Sequence, residues 1–267
     1  MKNFQQRYQY SAILLRELVI TDFKLRYQGS VLGYIWSLLR PLALFVIMYF
    51  VFARVLNTGG EIPHFPVYLL LGIVLWNYFS EVTNGGVGAV VGKGDILRKI
   101  NFPKYVIVLA GSLSALINLA INLIVVFIFM LINGVDFHWS GLLVIFPLLE
   151  MFTLSIALAF LLSALFVKLR DMNYIWEVFM QGAFYATPIF YAMSFLSPKY
   201  QMILILNPMA QIMQDARYLL ITHQTPTIGT IYGNEWMRLI PIGFTLIMLV
   251  AAALYFRHRS KFFAEDI

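Results

Sequence analysis

The chain has 267 residues, 61% of them hydrophobic and only 12% charged, with a net charge of +6. A soluble domain carries about 25% charged residues, and half that charge covers a globule of this size so poorly that a soluble enzyme is close to excluded. There is no cysteine, so neither a disulfide framework nor a Cys-ligated metal site can form.

Residues 1–30 alternate charge with short apolar runs, and no small-residue cleavage site follows an apolar core, so a cleavable signal is not expected. Residues 8–28 read as an interfacial helix. Leu15, Leu18, Val19 and Phe23 form its apolar stripe, and Asp22 and Arg26 stand at i,i+4 with the acid first, the helix-supporting order.

Charged residues then punctuate apolar runs of about the 20 residues that a spanning helix needs. The pattern predicts an all-α integral membrane protein forming a single transmembrane domain, 1–267. Its six spans are 34–56, 65–81, 106–132, 141–167, 174–192 and 239–256. An even number puts both termini on one side. Of the 19 Lys and Arg, only Arg54, Lys199, Arg217 and Arg238 fall on the other side, so the termini are expected in the cytoplasm. The positive charge is therefore read as a topology signal, not as a nucleic-acid surface.

Two loops are longer than plain connectors. In the cytoplasmic one, Asp95 can cap a short helix over 95–102 that Pro103 ends. Ile96, Leu97 and Ile100 fall on one face of it, and Arg98 and Lys99 on another. The external segment 193–238 is apolar, then polar, with Pro198, Pro208 and Pro226, and suits a re-entrant or interfacial hairpin.

Segment 85–94 resembles a phosphate-binding loop but fails the pattern. Val87 stands where a Gly is required, and Gly94 where Ser or Thr is required after Lys93. No ATP site is expected in this chain. The four His are scattered, so no metal site is expected either.

Glu150 and Glu177 lie inside predicted spans, and Glu81 and Arg40 near span ends. Intramembrane charge is a functional signal by default; packing between helices is the alternative. Glu177 with Arg170 or Arg40 is a candidate structural or gating ion pair. Phe45, Tyr49 and Phe52 share a face at i, i+4 and i+7, and the fifth span offers Tyr185, Phe190 and Tyr191. Aromatic faces stack on sugar rings; lipid-facing rings are the alternative. Trp36, Trp76, Trp176 and Trp139 suit an interfacial belt.

The stretch 22–36 followed by Arg40-Pro41 resembles the entry to the first span of permease subunits of type-2 ABC exporters. The branch it resembles exports O-antigen, capsular polysaccharide or teichoic acid. Tyr68, Gly72, Trp76 and Phe79, then Asn101-Phe102-Pro103, Arg170-Asp171, Thr187-Pro188-Ile189-Phe190-Tyr191 and Asn207-Pro208 follow in the family's order. Thr21 departs from it, where a basic residue is usual. The resemblance implies a multi-pass protein of the bacterial inner membrane, a homodimer paired with two copies of a separate ATP-binding subunit. ATP and Mg would bind that partner, with no cofactor in this chain. It also implies that Asp95, Ile96, Leu97, Arg98, Lys99, Ile100 and Phe102 form the coupling helix. Spans one and five would line the path, bringing in Phe45, Tyr49, Phe52, Tyr185, Phe190 and Tyr191. The cargo would be a polyprenyl-diphosphate-linked glycan, whose diphosphate Lys24, Arg26 and Arg40 could meet at the cytoplasmic rim; topology accounts for those charges equally well. An exporter of a drug or small lipid, and a membrane enzyme acting on lipid-linked sugars, are the alternatives.

Overall fold

The computed structural model describes residues 2–27, 33–56, 60, 62–95 and 102–263; for residues 2–10, 23 and 25–27 it describes the backbone alone. The described residues are predominantly helical, with no strand among them. Among the described residues five helical segments are long and apolar enough to cross a membrane: Gly33–Val55, Phe65–Gly88, Tyr105–Ile132, Trp139–Lys168 and Glu235–Arg259.

Helix α1 (Lys2–Tyr27) starts before the predicted boundary and is a single rod. The first membrane-length segment holds α2 (Trp36–Tyr49) and then a π-helical turn, Phe50–Val55. The next three are α3 (Phe65–Gly88), α4 (Tyr105–Ile132) and α5 (Ile145–Lys168). Then come α6 (Met172–Ala186), the short α7 (Pro198–Leu204), α8 (Pro208–Leu220) and α9 (Ile228–Tyr232). Helix α10 (Leu239–Arg259) closes the chain.

Helix α3 is the centre. Every residue from 67 to 76 is buried, the mark of a helix apolar on all sides and packed on all sides. This corrects the reading of Trp76 and Trp176 as belt residues, since both are buried, whereas Trp36 and Trp139 are exposed. Lipid tails are as apolar as leucine, so close packing rather than water expulsion joins such helices. Ser155, Ala159 and Ser163 form a buried small-residue stripe on α5. Gly86 of α3 sits against it so closely that a Cβ there would lie 2.6 Å from that of Ala159.

The ends of the helices form two rims. At one, Lys93 Nζ donates to both carboxylate oxygens of Asp22, at 2.9 and 3.0 Å. Asp22 thus ties α1 to the short turn, Val91–Lys93, that follows α3. Ser114 Oγ donates to Val19 O (3.4 Å), and Lys104 Nζ donates to Ser260 O, so α1, the start of α4 and the end of α10 share this rim. At the opposite rim His64 Nδ1 donates to Asn133 O at 3.1 Å, joining the start of α3 to the end of α4.

Helices α5 and α10 run in the same direction. Phe160 packs on Phe256, ring centroids 5.0 Å apart, and nearer the opposite rim Glu150 and Thr245 line one cavity. The expected fifth span, 174–192, is not one long helix. Its helical part, α6, has 15 residues, about 22 Å at 1.5 Å per residue, against a hydrocarbon core of about 30 Å. Thr187-Pro188 ends it: a residue before proline is pushed out of the α region, and Thr187 is extended at φ −95°, ψ 137°. Asn207 caps α8, its side chain accepting from Met209 N at 3.1 Å with Pro208 in the first turn. Residues 209–217 of α8 are all buried, among α3, α5 and α10.

Candidate functional site

Helix α3 carries Asn77, Ser80, Glu81 and Asn84, polar residues at helical spacing on one face of an otherwise apolar rod. They open onto two cavities. The larger, about 890 Å³, lies toward α2 and α4 and is also lined by Arg40, Tyr78, Asn118 and Asn122. Asn118 Nδ2 donates to Glu81 Oε1 (2.9 Å) and Asn122 Nδ2 to Asn118 O (2.8 Å). Asn118 Oδ1 and Tyr78 Oη are buried without a hydrogen-bond partner. The smaller cavity, about 600 Å³, lies toward α6. It adds Asn173, Glu177 and Gln181, at i, i+4 and i+8, and shares Ser80 and Asn84 with the larger one. The two form one polar groove, dominated by amides and hydroxyls rather than by charge.

Aromatic rings continue the groove toward the opposite rim. Phe52 meets Phe190 (centroids 5.1 Å), and Phe190 also meets Phe184, Tyr185 and Tyr191 at 5.7, 6.0 and 5.3 Å. The first and fifth predicted segments therefore touch through residues singled out from sequence. Phe45 and Tyr49 point elsewhere: they stack on each other at 5.7 Å and reach Phe129 and Phe65. The π-helical turn that begins at Phe50 changes the winding, so the three positions do not keep one face. Phe45 is buried and Tyr185 exposed. Trp76 and Phe184, which pack together at 5.8 Å, belong to the same cluster.

Below these rings lies a residue that sequence reading placed only among the outer loop charges. Arg217 is fully buried. A guanidinium has five N–H donors, and all five are used. Nε and Nη2 donate to Tyr68 O (3.3 and 3.2 Å), Nη1 to Pro188 O (2.5 Å) and Gln214 Oε1 (3.0 Å), and Nη2 also to Ile189 O (2.6 Å). Its carbon sits 3.5 Å from the centroid of the Tyr68 ring, within cation–π range. The break at Thr187-Pro188 bares carbonyls that have no helical partner, and the guanidinium satisfies them. Gly72 makes room: a Cβ there would overlap Nη2 and lie 2.7 Å from Ile189 O.

The remaining candidates are scattered. Among the described residues Glu177 and Arg170 form no ion pair; Glu177 is exposed in the smaller cavity, and Arg170 lies over the ring of Phe166. Lys24 is exposed on α1, Arg26 is on α1, and Arg40 lines the larger cavity. Asp95 is exposed and Phe102 buried, while Ile96, Leu97, Arg98, Lys99, Ile100 and Asn101 lie outside the described residues. No His, Cys, Asp or Glu cluster suited to a metal occurs among the described residues.

Replacing Tyr49 with Ala removes the ring between Phe45 and Phe65. If those aromatics guide cargo, transport should fall severalfold while the melting temperature moves by only a few degrees. Unchanged transport would return Tyr49 to a packing role.

Residues 13–221 match the ABC-2 type transporter family. Over 265 residues, 98% of each chain, the sequence is 29% identical to the O-antigen export system permease protein RfbA of Myxococcus xanthus. A protein of the same name from Klebsiella pneumoniae is 29% identical over 93% of each chain. The polysialic acid transport protein KpsM of Escherichia coli is 21% identical over 95% of this chain and 96% of its own. With a match that spans most of its length, and five membrane-length helices, this chain belongs to the ABC-2 type transporter family.

Proposed function

We propose that this chain is the transmembrane subunit of an ATP-driven exporter that carries a lipid-linked polysaccharide out of the cytoplasm across the bacterial inner membrane. The observation that carries the reading is the groove: amide and hydroxyl groups on α3, α4 and α6 in one half, aromatic rings in the other. Sugars need both, since their hydroxyls take hydrogen bonds and their C–H faces stack on rings. The relatives' names, O-antigen export permease and polysialic acid transport protein, support the same class of cargo.

In this proposal the chain crosses the membrane six times. The parallel course of α5 and α10 supports this, because the chain must return between them, and α6 with the extended stretch after Thr187 is the segment available. Both termini lie in the cytoplasm, on the rim of α1. Two copies form the unit. The exposed apolar faces of α2 (Val46, Ile47), of the π-helical turn after it (Phe50) and of α6 (Tyr174, Val178) favour pairing there. Segment 95–102 docks on a separate ATP-binding subunit, which holds ATP and Mg. Lys24, Arg26 and Arg40 meet the lipid diphosphate at the cytoplasmic rim, a role supported for Arg40 by its position on the larger cavity.

The test is to co-express the chain with its candidate nucleotide-binding subunit, purify the complex, and measure both ATP hydrolysis and delivery of lipid-linked polysaccharide into inverted vesicles. ATP-dependent delivery by the complex, and by neither component alone, is the expected result. A complex that hydrolyses ATP and moves only small lipids or drugs would overturn the cargo assignment.

A further inference from the structure

A third cavity, of about 860 Å³, lies away from the groove, between α5, α8 and α10 at the rim opposite α1. Its floor is polar. Gln211 Nε2 donates to Asp215 Oδ2 (2.6 Å), and Arg238 Nη2 donates to Asp215 Oδ1 (3.3 Å). Arg238 also lies 3.6 Å from Glu235 Oε2. These contacts leave the floor unfinished. Nine buried side-chain polar atoms among the described residues have no hydrogen-bond partner, and five of them line this one cavity. They are Ser140 Oγ, Glu150 Oε1, Gln211 Oε1, Arg238 Nε and Thr245 Oγ1. Gln211 and Thr245 are each only 1% exposed, so bulk water does not serve them. Buried polar groups are normally paired, and five orphans converging on one space mark a missing partner.

The chemistry of that partner can be read from the orphans. Glu150 and Gln211 interact through their side chains, yet Glu150 Oε1 and Gln211 Oε1 still need donors. The carboxyls of Glu150, Asp215 and Glu235 outnumber the single arginine, so the donor is best a cation. Arg238 Nε needs an acceptor a short distance away. The walls say where the rest of the ligand goes: Leu143, Phe146, Leu149 and Leu246 line the cavity and are half or more exposed, on the outer surface of membrane-length helices. The site thus joins a polar floor to an apolar, lipid-facing mouth.

We propose that this cavity binds the headgroup of a membrane phospholipid bearing a primary ammonium next to its phosphate. The ammonium meets Glu150, Gln211 and Asp215, the phosphate meets Arg238, and the acyl chains run along α5 and α10. Helix α8 carries Gln211 and Asp215 on this cavity and Gln214 and Arg217 at the carbonyl clamp, so the lipid bears on the helix that holds the broken segment in place.

Native mass spectrometry of the purified full-length protein tests this with phosphatidylethanolamine, phosphatidylcholine and phosphatidylglycerol of identical chains. Phosphatidylethanolamine should be retained about tenfold more strongly than the other two, the order expected from one charge-assisted hydrogen bond. Trimethylation removes the N–H donors, and glycerol removes the cation. Glu150→Gln with Asp215→Asn should erase the preference while leaving unselective lipid binding in place. Equal retention of the three lipids by the unmodified protein overturns the proposal, whatever the variant does. Soluble glycerophosphoethanolamine that competes as strongly as the lipid also overturns it, because the ligand would then be water-borne.

Discussion

Replacing Arg217 with methionine should cost the protein a large part of its stability and all of its transport. The side chain is fully buried and gives all five N–H groups to acceptors on three segments: Tyr68 of α3, Gln214 of α8 and the stretch 188–189 after α6. Methionine fills similar space but leaves two backbone carbonyls, those of Pro188 and Ile189, without donors. An orphaned buried acceptor costs about 1–3 kcal/mol, so the loss is on the order of 3–5 kcal/mol even after partial relaxation. Thermal unfolding in detergent should show a drop well beyond that of a surface substitution. Arg217→Lys should fall between, since an ammonium has three donors and no planar fork. Gly72→Ala should reproduce the defect from the other side by pushing Nη2 out of place. A methionine variant that melts and transports like the parent would show that the carbonyls find other partners.

The second large effect is expected at the segment between α3 and α4. Changing Ile96, Leu97 and Ile100 together to Asp should abolish export while the protein still inserts and melts normally. The residues on either side of the segment are anchored. Lys93 is tied to Asp22 of α1, and Phe102 is buried in the core. If the segment docks on the ATP-binding subunit as proposed, the three apolar residues are the ones that a partner groove would bury. Truncating interface anchors costs about 2 kcal/mol or more each, so three charges at once should lower affinity for the ATP-binding subunit by on the order of a hundredfold or more. Co-purification of the two subunits reads this directly. A triple variant that keeps its partner and its export would remove the coupling role from this segment.

The helical membrane body was legible in the sequence because length and hydropathy are local properties: runs such as 105–132 identify themselves. The broken segment was less so. Residues 174–192 are apolar enough to look like one span, and only Thr187-Pro188 signals the interruption that the structure makes. The aromatics were half legible: Phe52 and Phe190 do meet, but a constant 3.6-residue winding could not foresee the π turn that parts Phe52 from Tyr49. The polar stripe Asn77, Ser80, Glu81 and Asn84 was visible as i, i+3, i+4 and i+7 in an apolar run, yet the charged member alone drew notice. Arg217 was out of reach. Its partners Tyr68 and Gly72 are remote in sequence, and a cation that binds main-chain oxygens leaves no complementary acid to find. The nearest clue was chemical: a proline break inside a membrane demands a donor for the carbonyls it frees.

The parallel arrangement of α5 and α10 has a consequence for how the chain is made. Helices that run in one direction cannot be joined by a tight turn, so each waits for the other while the intervening segments emerge from the ribosome. Glu150 enters the bilayer with α5, long before Gln211, Asp215 and Arg238, the groups it faces in the finished protein, have been synthesised. During that interval the nascent chain carries a carboxyl group on a membrane helix without the amide, the acid and the arginine that line its cavity in the finished protein. A chain stopped after α5 is therefore the stage at which this carboxyl group is expected to be hardest to hold in the bilayer.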